Sequence, residues 1–267
     1  GHMNLRERVD RFFIAQFEGL SLDQADEMDI LEANGSVNFG SNKAYRAMLK
    51  KIKAGSPATN PDDLQYILDN VDVDNLFEYM ALEMFVGNSD IGNIRYYRLH
   101  QEGSKWKWIW YDADYGLYSS KFNSPWSYLK VKGMGEQKID NTIFLKLLEH
   151  PDYKRKFLEK LADVYKTFTT EYMTQVLDGV VAEIQPEMKN HWERWGELND
   201  KAVTSEVPTT IDGAYTYWES RVNRLYNTLK VRPHRLWDFI KDEFKLTKTE
   251  MEELFGPQPD YPDDAVL

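Results

Sequence analysis

No cysteine occurs among the 267 residues. Disulfides, thiolate catalysis and cysteine-ligated zinc or iron–sulfur centres are therefore excluded, while the redox compartment stays open. No apolar run approaches the roughly 20 residues that a membrane-spanning helix needs. Basic charge is also in short supply: 33 lysines and arginines stand against 44 acidic side chains, a formal charge of −11 with no segregated basic stripe. Such a chain repels nucleic-acid phosphates and anionic lipid. Several catalytic signatures are missing too, including the H-E-x-x-H metal spacing, the G-x-S-x-G elbow, a P-loop G-K-S/T and a strand followed by G-x-G-x-x-G. His100, His150, His191 and His234 are scattered without ligand spacing.

What is present is apolar and aromatic. Hydrophobic residues make up 42% of the chain and aromatic rings 14%, enough to build one large core or two small ones. Gly1, His2 and Met3 read as a scar of tag removal, which makes Asn4 the expected first native residue. Helical spacing predicts helices over residues 4–17 and 42–53, the second following a glycine-rich turn from Gly35 to Gly40. From Asp72, a suitable N-cap, VDNLFEYMALEMFVG is apolar on most faces, the pattern of a helix buried in a core. Further helices are expected over 152–167, 170–194 and 211–229, with Pro186 and Gly196 as kink and stop, and shorter ones over 233–243 and 247–255. The proline- and aspartate-rich residues 257–267 read as an extended tail.

One segment breaks the helical texture. Ile94 to Leu99 and Lys105 to Tyr111 are aromatic-rich stretches separated by a polar loop containing Gly103, which predicts a β-hairpin. A period of two puts Trp106, Trp108 and Trp110 on one face, as packing groups or as a ring platform of the kind that binds carbohydrate. GNSDIGN enters the hairpin and YDADYG leaves it, so Asp90, Asn93, Asp112 and Asp114 are brought to one end of the ribbon. If the second strand continued regularly, Asp112 and Asp114 would share a face. Clustered carboxylates repel one another unless a cation or a shared proton offsets the charge. Magnesium suits such oxygen donors, with waters and nucleotide phosphates completing its shell. Phosphoryl transfer uses this arrangement: an aspartate and an asparagine before a hairpin, and a D-F-G aspartate after it. Here Asp114, Tyr115 and Gly116 form a D-Y-G version. The same residues also fit simple turns, with Asp90 as a cap and Asp112 to Gly116 as an exit turn.

The stretch VDVDNLFEYMALEMFVGNSDIGNIRYYRLHQEGSKWKWIWYDADYG resembles the signature region of the CotH kinase family, where a helix ends in N-x-D and a tryptophan-led D-x-D element follows a hairpin. ERVDRFFIAQFEG resembles the family segment just past its hinge strand, LEANG the loop after it, and RPHRLWDFIKDEF the closing helices, so the likeness covers Glu7 to about Phe255. The resemblance implies a mainly helical α+β fold, a kinase-like large lobe with a central hairpin occupying residues 4–256, and a small lobe largely absent or upstream. It implies an atypical protein kinase, with ATP and Mg2+ or another divalent cation as cofactors, acting on serine or threonine of spore-coat or secreted proteins. Basic, serine-rich coat proteins would suit an acidic enzyme. Asp90 would then be catalytic, Asn93 would support metal and nucleotide, and Asp112 or Asp114 would be the principal ligand. The triplet D-Y-G favours Asp114 and the strand end favours Asp112. Two departures stand out: only two residues separate Asp90 from Asn93, against four in ordinary kinases, and no phosphate-gripping lysine with its glycine-rich cover is recognisable. A catalytically inert coat scaffold that binds partners through its aromatic surface is the alternative.

Overall fold

The computed structural model describes residues 7–131, 139–199, 208 and 210–263. Residues 1–3, the start of the first predicted helix and the last four residues of the predicted tail lie outside the described residues. Two compact units are present: one is Glu7–Thr167 with Arg235–Gln258, and the other is built on Phe168–His234. The fold is mainly helical with one small antiparallel sheet, an α+β arrangement. No described helix is long and apolar enough to cross a membrane.

The first unit opens with helix α1, Arg11–Phe17, capped by Asp10, whose carboxylate accepts the N–H groups of Phe12 and Phe13. Strand β1, Met28–Glu32, follows, then β2, Ser36–Phe39. Neither strand is expected from the sequence, which reads LEANG as a loop and Gly35 to Gly40 as a turn. The physical reason is position: β1 lies between β2 and β3 in a sheet of order β2-β1-β3-β4, so Met28 to Leu31 are all buried and the alternating pattern disappears. β2 is short and mostly exposed, and the two glycines bracket it instead of filling it. The hairpin of β3, Arg95–Leu99, and β4, Lys107–Ile109, is formed in the register Arg95 to Ile109 and Tyr97 to Lys107. β4 is shorter than predicted. Trp106 and Trp108 pack as buried rings, but Trp110 lies beyond the strand and is 44% exposed.

Helices α2, Lys43–Ala54, α3, Pro61–Asn70, and α4, Val73–Val86, lie between the two hairpins in sequence. α3 starts on an Asn60 cap with proline in its first turn, a strong start signal absent from the predicted set. α4 begins at Asp72 as expected, with its carboxylate accepting the Asn75 N–H at 3.1 Å, and ends on Gly87 in the left-handed region. β4 is an edge strand, and α4 covers that edge. The Asn75 amide takes the Trp108 N–H at 2.6 Å and gives a hydrogen bond to its carbonyl at 3.1 Å, while Asp72 N–H bonds the Trp106 carbonyl at 3.0 Å. Behind α4, Phe77 meets Phe144 and Phe157 edge-on, at ring separations of 6.2 and 5.4 Å. These rings come from α6, Thr142–Leu148, and α7, Pro151–Thr167; α5, Ser124–Lys130, precedes them.

The second unit contains α8, Thr170–Ile184, then one 3-10 turn at Gln185–Glu187 and α9, Met188–Asn199. Pro186 thus marks a change of helix, as predicted, but Gly196 does not stop α9. The expected break before Pro233 is absent as well: α10 runs unbroken from Ile211 to Phe244 and continues from one unit into the other. Proline at 233 removes the N–H that would bond the Leu229 carbonyl. The Thr170 hydroxyl takes that carbonyl instead, at 3.2 Å, which offsets the loss. α11, Lys248–Phe255, closes the first unit, and residues 257–263 carry no helix or strand.

Gly40 tests the packing of the β-hairpin at its tightest point. It sits at φ +73°, and a Cβ there would meet the Asp29 carboxylate at 2.5 Å and the Met28 carbonyl at 2.6 Å. Gly103 has nearly the same φ, +74°, but open space around it. Gly40→Ala should cost about 3 kcal/mol or more in chemical denaturation, and Gly103→Ala only about 1 kcal/mol. Equal costs would mean that the close approach at Gly40 carries no weight.

Candidate functional site

The last turn of α4 leaves backbone carbonyls that its own helix cannot satisfy. Gly87 and Asn88 N–H groups take the Glu83 carbonyl at 3.0 and 3.2 Å, and the Ser124 hydroxyl donates to that of Met84. The Val86 carbonyl accepts the Leu117 N–H at 2.6 Å, which fixes the turn that follows Asp114. The chain leaves α4 through Asn88 and Ser89, both buried, to Asp90. Asn88 accepts the Asp90 N–H on its side-chain oxygen at 3.0 Å, and the Asp90 carbonyl accepts the Asn93 N–H at 3.2 Å. Asp90 therefore sits in a turn held from both sides.

Across the hairpin, the Asn93 amide donates to the Asp112 carboxylate and accepts the Tyr111 hydroxyl at 2.8 Å. Asp112 has φ +54°, so the regular strand on which Asp112 and Asp114 would share a face does not reach them. Asp112 joins Asn93, whereas Asp114 is exposed in the following turn and its side chain makes no hydrogen bond or ion pair among the described residues. Burial raises the Tyr111 hydroxyl above its ordinary pKa; Arg95 opposes this, and the negative charges of Glu32, Asp112 and Asp90 add to it. Asp90 and Asp112 thus act on one hydroxyl. Among the described residues, no three histidine, cysteine, aspartate or glutamate side chains converge as a metal cage. An oxygen site of the magnesium kind does not need one, because phosphates and waters supply most of its shell. Asn93 and Asp112, already in hydrogen-bond contact, have the oxygen donors that a hard cation takes.

Glu83 was not among the residues singled out from the sequence. It is 1% exposed and inside α4, where the Tyr128 hydroxyl from α5 donates to it at 2.6 Å. The side chains of Asn88 and Trp110 lie on the same carboxyl and favour its charged form. Burial pushes its pKa up to about 7; the polar groups of Tyr128, Asn88 and Trp110 pull the other way, and the nearby charge of Asp90 adds to the rise. The available signal was its setting: three positions away on either side stand Met80 and Val86, and four before it Tyr79, so Glu83 faces the apolar side of its helix. Next to Trp110 opens a cavity of about 420 Å3 lined by Phe13, Phe17, Tyr79, Tyr97 and Trp108 among others. Its volume falls in the range of small-molecule sites, about 300–1,000 Å3.

A family model described as CotH kinase protein matches residues 14–236. No curated protein and no solved structure matches the chain.

The raised pKa of Glu83 makes stability depend on pH with a definite sign. The unfolded carboxyl ionises near 4.5 and the folded one near 7, so the protonated form stabilises the fold below 4.5 and this contribution is lost as pH rises through 7. Glu83→Gln should flatten that slope, removing a difference of up to about 3 kcal/mol between about pH 5 and pH 8 in urea denaturation. An identical slope in the mutant would place the proton elsewhere.

Proposed function

The chain belongs to the CotH kinase family, and on that premise we propose that it supplies the catalytic-loop and metal-binding lobe of an atypical protein kinase. The donor is ATP and the acceptor a serine or threonine hydroxyl of a protein, basic serine-rich proteins of a spore coat or cell surface being suited to the acidic chain. The observation that carries this reading is the pairing of Asn93 with Asp112 across the hairpin from the turn that holds Asp90.

In this scheme Asp90 accepts the proton of the attacking hydroxyl. The hydroxyl oxygen bonds to the γ-phosphorus, the bond from that phosphorus to the bridging oxygen breaks, and ADP leaves with the electron pair. Asn93 and Asp112 would hold a divalent cation, Mg2+ being the best match to oxygen donors, which when bound offsets phosphate charge. The contact with Asn93 favours Asp112 over Asp114 as the principal ligand. The aromatic cavity beside β4 has room for a nucleobase. Exposed Trp110, Tyr115 and Tyr118 favour a second reading, an inert scaffold that binds a partner protein through its rings.

Radiolabel transfer by the encoded polypeptide, including whatever precedes residue 4, separates the two. Asp90→Asn should lower transfer by about a hundredfold or more, because the amide cannot take the proton, while melting stays near wild type. Asp112→Ala should abolish transfer and Asp114→Ala should reduce it less. Unchanged transfer in Asp90→Asn removes Asp90 from the chemistry, and no transfer by the wild type with any serine-rich acceptor favours the scaffold.

A further inference from the structure

A helix with apolar rows on opposite sides needs a partner on each. α8 has such rows, yet none of its residues is buried. On one side Met173, Leu177, Val181 and Ile184 are half-buried, and Thr170 on that side donates to the Leu229 carbonyl of α10 at 3.2 Å. On the other, Tyr172, Val176 and Val180 recur every fourth residue and are 49%, 46% and 48% exposed. Such an i, i+4, i+8 row is the ridge by which one helix packs into the groove of another. Gly179 stands beside this ridge. Glycine weakens a helix relative to alanine, yet a Cβ there would meet nothing within 4 Å among the described residues, so none of them needs the missing side chain. A second backbone lying close against the ridge would need it.

The charges around the ridge are of one sign. α8 carries Glu171, Asp178 and Glu183 and no lysine or arginine. Asp178 accepts the Tyr226 hydroxyl at 2.6 Å; Glu171 and Glu183, at the two ends of the ridge, make no hydrogen bond or ion pair among the described residues. A second copy of the chain would set acid against acid in parallel and antiparallel pairing alike, at a formal charge of −11 per chain. We propose that α8 is a docking helix, whose ridge from Tyr172 to Val180 takes a basic amphipathic helix of a partner protein, with lysine or arginine set against Glu171 and Glu183. Apolar contact along the ridge supplies the attachment, and the paired charges set which helix is accepted and how fast it arrives. The ridge lies in the second unit, whereas the exposed rings Trp110, Tyr115 and Tyr118 belong to the first. Docking there stands whether or not the chain transfers phosphate.

The test titrates the whole chain, labelled with 13C at its valine methyls, with a synthetic helical peptide of leucine and lysine, and with the same peptide carrying glutamate for lysine. The lysine peptide should shift the methyl signals of Val176 and Val180, assigned by their loss in Val176→Ser and Val180→Ser, in a saturable way, and the glutamate peptide should not. Each serine variant should bind the lysine peptide about tenfold more weakly, with a melting midpoint within about a degree of wild type, because the side chain it changes is exposed and serine and valine suit a helix alike. Gly179→Ala should melt about 2 °C higher and bind about fivefold more weakly, opposite effects that a helix with no partner would not give. Glu171→Gln combined with Glu183→Gln should flatten the fall of affinity with salt. Peptide binding that leaves Val176 and Val180 unmoved, equal affinity in Val180→Ser, or equal binding of the two peptides overturns the proposal. So does sedimentation showing a dimer of the chain that Val180→Ser dissolves, which would give the ridge to a second copy.

Discussion

The carboxy-terminal carbonyls of α4 constrain everything around the candidate site. A buried helix end must find partners for these groups, since water cannot reach them. Here the partners are distributed: the turn at Gly87 and Asn88, the Ser124 hydroxyl that begins α5, and the Leu117 N–H after the D-Y-G triplet. The loop before the hairpin and the turn after it are thus anchored to the same helix turn. At its other end α4 holds the hairpin edge through Asp72 and Asn75. One helix therefore fixes the outer strand of the hairpin and both polar segments, the kind of support that keeps functional groups in register.

Electrostatics follow from that anchoring. Glu83 is held within that helix, Asp90 immediately after it, and Asp112 across the hairpin, so negative charge accumulates over a short span. Asp112 adopts a left-handed backbone conformation that aspartate tolerates better than most residues. That conformation turns it toward Asn93 instead of letting the strand run on toward Asp114. Arg95 partly balances the group: its guanidinium lies 5.0 Å from the Tyr111 ring and bonds Glu32 at 3.1 Å.

Much of this was legible in the sequence, for reasons that differ by element. α4 could be read because an N-cap, an apolar run and a glycine stop coincide, and the β3–β4 hairpin because aromatic alternation is interrupted by a polar glycine loop. Both flank the four polar residues, so the approach of Asn93 to Asp112 and to the Asp90 turn was legible too. β1 was not, since a central strand buried on both faces loses its alternation, and β2 was not, since a short exposed strand has little pattern to show. The pairing of Asn93 with Asp112, not Asp114, depends on a single backbone dihedral that sequence does not encode visibly. Glu83 was hidden because a lone acid in a helix ordinarily faces solvent, as Glu78 five residues earlier does.

Pro233 divides α10 in a way that its unbroken geometry conceals. The missing hydrogen bond is replaced by a side chain from α8, not by the helix itself, and the next residue is the last of α10 that belongs to that unit. Cooperativity in a helix is carried by successive backbone bonds, and a seam where one is borrowed from outside is where it weakens. Native-state exchange would then resolve α10 as two separately opening segments, with the protection of residues 211–228 tied to α8 and that of 236–244 tied to the core around Trp237 and Phe244.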